Sequence, residues 1–216
     1  MTLVQRWLMR HAERHQSPVL IAHFAELVQG ARGRVVEIGC GVGSLFPHYP
    51  ATVDELVAVE PNAESRAAAA TIASRLPFSA RVVDNDLTGC IPVATNSVDV
   101  VVCCEVLCSV ADPVRVLEEI RRILKPGGEL RVYEHVLAAG WVGRMVQRVV
   151  DRAGWTWLLA GCHTARDTTR TISEAGFEWI AHRPVWYARL LITWPAGPHV
   201  IGVARSASHP VKGSST

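Results

Sequence analysis

Glu37, Gly39, Gly41 and Gly43 stand at alternate positions, E-x-G-x-G-x-G, and Glu37 is the one charge in the apolar run from Val35 to Ile38. The run reads as a short buried strand, and the glycines as a turn that brings backbone close to a ligand, with a helix expected from Ser44. The spacing departs from the dinucleotide fingerprint G-x-G-x-x-G, whose third glycine would fall at Ser44 counted from Gly39, or at Phe46 counted from Gly41. A carboxylate beside a pyrophosphate repels it. A cationic ligand suits the pattern better: Glu37 can face an amino group and the open turn, Gly39-Cys40-Gly41, an adenosine. A second acid, Glu60, closes the apolar run Leu56-Val57-Ala58-Val59 and precedes Pro61. An acid at such a strand end can accept both ribose hydroxyls.

The elements that must carry these residues follow in order. Ser17-Pro18 starts a helix that ends near Gly30, and an earlier helix is expected over residues 2–15. Asn62 opens an alanine-rich helix over 63–75. Arg81–Val83 is a third strand, leading to Asp84, Asp86 and Leu87. Ser97–Cys104 is the longest β-branched run and the expected central strand, delivering Cys104, Cys108 and Ser109. Asp112-Pro113 caps the next helix, which stops at Lys125-Pro126-Gly127-Gly128. A fifth strand, Glu129–Tyr133, carries Glu134 and His135 to the end where open α/β sheets bind ligands. Thr164 is expected to cap a helix ending at Gly176, and residues 177–187 and 198–205 read as an antiparallel pair.

The motifs S-V-D-V-V-V-C, V-L-C-S-V (106–110), L-K-P-G-G, E-H-V (134–136) and G-C-x-x-x-R (161–166) resemble those of class I S-adenosylmethionine (SAM) methyltransferases. The narrower ones resemble the thiol S-methyltransferase branch, known in animals as the methyltransferase-like family seven. The likeness runs from about residue 34 to residue 206. It implies an α/β, Rossmann-like, seven-stranded, mostly parallel sheet with helices on both faces. It also implies N-terminal helices over 1–33 that cover the cofactor and a helical insertion after strand five. Its cofactor is SAM, with S-adenosylhomocysteine as product. The implied cofactor residues are Glu37, Gly39, Cys40, Gly41, Gly43, Glu60, Pro61, Leu87 and Cys104, with Asp86 on the adenine amino group and Asp84 in reserve. Cys108, Ser109, Glu134, Trp155, Trp157 and Cys162 are the implied acceptor contacts. His135 is the expected proton acceptor for a small lipophilic thiol, or a bystander on the backbone, and Arg166 is expected to favour the thiolate. Animal members carry an N-terminal membrane anchor, which the charged stretch MTLVQRWLMRHAERH does not match, and the loop after strand three is about one residue longer here.

The residues leave other functions open: an O- or N-methyltransferase of a small apolar metabolite, or a SAM-binding scaffold without turnover. The 216 residues, 49% apolar and 19% charged, suit a single domain over 1–206 with a disordered tail at 207–216. A net charge of +2 gives no argument for nucleic acid. The six cysteines are expected reduced, in a cytoplasmic protein. The spacing of Cys103-Cys104, Cys108 and Cys162-His163 matches no zinc pattern, so no metal is expected. In the segment 138–163, Val142, Met145, Val146, Val149 and Val150 form an apolar helix face, and Trp141, Trp155, Trp157, Leu158 and Leu159 add to it. It reads as a lid, a core helix, or, with Arg144, Arg148 and Arg152, a weak membrane-surface contact.

Overall fold

Five strands run parallel: β1 (Gly33–Ile38), β2 (Val53–Val59), β3 (Ser79–Val83), β4 (Val98–Cys104) and β5 (Leu124–His135). β7 (Pro198–Ser206) lies antiparallel between β5 and β6 (Phe177–Trp186), giving the order 3-2-1-4-5-7-6. The computed structural model describes residues 17–158, 161–188 and 191–206. The expected helix over 2–15, Leu159 and the tail 207–216 lie outside these.

Side chains alternate across the central strands. Val36, Ile38, Val101 and Cys103 face one layer; Val35, Val100 and Val102 face the other. On the first face lies α3 (Pro113–Ile123), capped by Asp112 Oδ1 accepting from Arg115 N at 3.0 Å. It buries Val116, Leu117, Ile120 and Ile123, each stabilising by about 1.5–3 kcal/mol. α5 (Thr168–Glu174) adds Ile172 to the same layer. On the second face lie α1 (Pro18–Val28), through Leu20, Phe24, Leu27 and Val28, and α2 (Ala63–Ala73), through Ala69 and Ala73. α1 thus packs on the sheet, with His23 stacked on Tyr133.

Four expectations change. No α-helix follows Gly43; residues 41–45 turn and Phe46–His48 make one 3-10 turn, because Pro47 and Pro50 leave no room for a longer helix before β2. Lys125-Pro126-Gly127-Gly128 does not separate helix from strand but lies within β5 as an irregularity, with Gly127 at φ +78°. Asp167, not Thr164, caps α5; Thr164 is buried and donates to Asp151 Oδ1 at 2.7 Å. Finally, α4 (Trp141–Val150) does not bury its apolar face as a core helix would. Gln147 is its buried residue, donating to the carbonyls of Val136 (3.2 Å) and Pro195 (3.0 Å) and accepting from Ala138 N. Trp141, Val142, Met145 and Val149 are exposed. Burying an amide with all its partners satisfied outweighed the period of the valines. Among the described residues no helix is long and apolar enough to cross a membrane.

Candidate active site

The turn after β1 places Gly41 beside the end of β2. Gly41 N donates to Glu60 Oε2 at 3.0 Å, and Asn62 N donates to Glu60 Oε1 at 2.8 Å. A carboxylate has about four acceptor positions, so two backbone donors leave capacity for further hydroxyls. Gly41 sits at φ +54°, and a Cβ built there meets nothing within 4 Å. Gly39 is the opposite case: its Cβ would stand 2.6 Å from Val106 Cγ2, so only glycine lets the loop after β4 lie on the turn.

The other expected cofactor residues are distributed unevenly. Cys40 is buried and Cys104 half-buried, at the ends of the two central strands, while Pro61 is exposed at the rim. Glu37 does not face open space. It is 2% exposed on the second face, where its Oε2 accepts from Tyr49 Oη at 2.8 Å. Burial pushes its pKa up to about 8 against the pull of that hydrogen bond, so it is mostly protonated at neutral pH. A nearby ammonium would favour its ionised form. After β3, Asp84 pairs with Arg66 at 3.1 Å, and Asp86 Oδ1 accepts from both Thr88 N and Oγ1. Both acids hold local structure, and Leu87, at φ +64°, packs against the core.

At the ends of β4 and β5 the narrow motifs interlock. Glu134 is fully buried, and its carboxylate accepts from Val106 N (2.9 Å), Leu107 N (3.0 Å) and Cys108 N (3.1 Å). It therefore holds the 106–108 loop and is a positioning residue, not an acceptor contact. Arg166 is likewise committed: Nη1 donates to the carbonyls of Leu107 (2.6 Å) and Val110 (2.8 Å). Its observed bonds are to the main chain of this loop, and none is to Cys108 or Cys162. Gly161 passes so close to Ser109 O that a Cβ would stand 2.9 Å from it, and His163 N donates to Cys108 O at 2.9 Å. Ser109 Oγ lies 3.4 Å from Cys108 Sγ. Trp155 is buried, while Trp157 is 64% exposed.

This clasp brings Cys108 and Cys162 onto one ring. His135 Nδ1 lies 3.5 Å from Cys108 Sγ and 3.2 Å from Cys162 Sγ, and the sulfurs are 4.0 Å apart. Two residues not singled out from the sequence complete the centre. The β5–β7 register sets His199 opposite His135, with ring centroids 4.2 Å apart, and His199 Nε2 lies 3.3 Å from Glu105 Oε1. Glu105 is also 3.8 Å from His135 Nε2 and sits at φ +57°. No local spacing signals His199; only the pairing of β7 does. Burial works against a charged His135, but its bond with Cys108 and the charges of Cys108, Glu105 and Glu134 outweigh it, pushing its pKa up to about 9. The Cys108 thiol is held well above its usual range, by the bond from Cys162 and then by burial. The carboxylates beside the ring favour its protonated form, and the protonated ring in turn favours an anion beside it. Behind His199 opens a cavity of about 680 Å³, lined by Val142, Val185, Trp186, Trp194 and Pro195.

The strand order, the glycine turn after β1 and the acid at the end of β2 define a class I methyltransferase. The methyltransferase-domain family matches residues 36–132. Thiol S-methyltransferase TMT1B of Rattus norvegicus is 35% identical over 172 residues, covering 79% of this chain and 69% of that protein. Thiol S-methyltransferase TMT1A of Homo sapiens is 34% identical over 176 residues, with the same coverage of 79% and 69%. A solved candidate methyltransferase of Bacillus halodurans, BH2331, matches with a TM-score of 0.72 over 87% of this chain and 100% of that one, at 16% identity, a likeness of fold. The chain belongs to the thiol S-methyltransferase family, and its activity is SAM-dependent methyl transfer.

Proposed function

We propose that the protein methylates small lipophilic thiols. The observation that carries this reading is the apolar cavity lined in part by His199, whose ring packs against His135 with its two cysteines. The activity printed for the relatives supports it. Valine, proline and tryptophan walls favour an alkyl or aryl body.

SAM, when bound, supplies a methyl group on a good leaving group, so the chain's task is chiefly alignment. Glu60 and the open side of Gly41 are the residues that would hold its ribose and adenosine. His135 favours the acceptor's anion. A free thiol of pKa ~8.5 is only a few per cent ionised at neutral pH, so this help is worth most for alkyl thiols.

Glu60→Ala is expected to weaken SAM binding by roughly 1.5–3 kcal/mol, the range for a hydrogen bond to a charged group. The same change frees Gly41 N and Asn62 N, and the turn loosens with it. Calorimetry on the folded variant checks this; unaltered affinity would remove Glu60 from the cofactor site.

The reading itself is tested by incubating the protein with SAM and a panel of thiols, phenols and amines, and following S-adenosylhomocysteine. Product with alkyl and aryl thiols is expected. Turnover confined to phenols or amines would overturn the acceptor assignment, and SAM binding without product from any panel member would point to a scaffold.

A further inference from the structure

We propose that Cys108, Cys162 and His135 form a binding site for a divalent zinc-type cation, and that the acceptor thiol binds that cation as its fourth ligand. The inference rests on thiol methylation as the function and gives its thiolate a source.

The geometry is the first argument. Zinc bonds of about 2.3 Å to sulfur and about 2.0–2.1 Å to nitrogen, at tetrahedral angles, put two sulfurs about 3.8 Å apart and each sulfur about 3.6 Å from the nitrogen. The three distances here are 4.0, 3.5 and 3.2 Å. Each ligand can reach its place by moving a few tenths of an ångström. Two thiolates and an imidazole are also the donor set that selects zinc over magnesium or calcium.

The surroundings are the second. Cys108 is fixed by Glu134 and by His163 N, Cys162 follows the close approach of Gly161 to Ser109, and the His135 carbonyl accepts from Thr168 Oγ1. A ligating histidine commonly gives its other ring N–H to a carboxylate, and Glu105 lies 3.8 Å from His135 Nε2. Among the described residues the set stops at these three, which is the open coordination of a catalytic rather than a structural zinc. The ligand spacing, 27 residues from Cys108 to His135 and 27 more to Cys162, belongs to no zinc pattern readable in a sequence.

In the loaded site the cation takes the place of the protons on Cys108, Cys162 and the His135 Nδ1 position. An entering thiol loses its S–H bond and gains a sulfur–metal bond; its proton passes to Glu105 and on to water. The sulfur then forms a bond to the methyl carbon of SAM as the methyl–sulfonium bond breaks and S-adenosylhomocysteine leaves; the sulfur–metal bond breaks and the thioether departs with the cation unchanged.

The test uses the tag-free full chain, stripped with a chelator and titrated with Co²⁺. One equivalent per chain is expected, with thiolate-to-cobalt charge-transfer absorption and tetrahedral d–d bands that Zn²⁺ abolishes by displacement. Cys108→Ser and Cys162→Ser, checked for folding by circular dichroism and for SAM binding by calorimetry, should each weaken the charge-transfer band. Chelation should lower the alkyl-thiol rate at least tenfold, and one equivalent of Zn²⁺ should restore it, with SAM affinity constant throughout. No charge-transfer band, or a band that survives in the double serine variant, overturns the site. Undiminished thiol turnover in chelated protein overturns the role of the metal and leaves thiol methylation standing. A cobalt band with turnover of no thiol at all overturns the function beneath the inference.

Discussion

Gly41→Val yields a folded protein that no longer binds SAM. Two effects add. Gly41 has φ +54°, a region a β-branched residue adopts only under strain of the order of 1–3 kcal/mol. Its Cβ also projects into open space, so nothing in the protein opposes the new side chain and only a ligand there meets it. An affinity loss of at least ~100-fold, about 2.7 kcal/mol, is expected, with a thermal midpoint lowered by about 2–12 °C. Gly41→Ala should fall between. Gly39→Val should instead unfold the rim, since its side chain would collide with Val106. Calorimetry with SAM and thermal melts of the three variants separate these outcomes; full SAM affinity in Gly41→Val would mean that the cofactor lies elsewhere.

His135→Ala slows the methylation of alkyl thiols far more than that of acidic aryl thiols. The ring lowers the cost of making the acceptor anionic, whether as a proton-bearing cation or as a ligand of one. For a thiol of pKa ~8.5 at pH 7, full ionisation is worth up to roughly 30-fold in rate. A thiol already ionised in solution gains little, and its loss should stay within a fewfold. Raising the pH should recover part of the alkyl rate, because solvent then supplies the thiolate. Rates of both proteins across thiols of graded pKa, at two pH values, decide it. A loss that ignores thiol pKa and pH would leave His135 only as a wall of the pocket.

The parallel sheet was legible because its strands carry β-branched runs and its helices carry caps: Asn62, Asp112 and Ser17 all accept from the first turn as their residue types imply. Glu60 and the glycine turn were legible because their chemistry is local, a strand end and the turn beside it. The missed features are those set by long-range approach. His199 reaches His135 only through the register of an antiparallel strand, and Cys162 reaches Cys108 only because Gly161 and Arg166 wrap a loop more than fifty residues earlier. Arg166 and Glu134 were identified as residues of the site, but what they bond, main-chain carbonyls and amides, cannot be read from side-chain types. Of the three readings of the segment 138–163, α4 departs from the core helix: its one buried residue is Gln147, satisfied by three backbone groups, while Trp141, Val142, Met145 and Val149 stay exposed.

The grip of Glu134 on the loop after β4 also bears on how this site can diverge. Its three bonds go to main-chain N–H groups, which every residue but proline supplies. Arg166 and His163 add bonds to the main chain of the same loop, so its path is set by contacts to its backbone more than by its own side chains. Val106 packs on Gly39 and Cys108 faces His135, but the Ser109 side chain can be exchanged while the backbone beneath the acceptor keeps its course. A lineage, or an experimenter building a library, could explore new acceptors at that position without first rebuilding the scaffold, provided that Glu134, His163 and Arg166 are left alone.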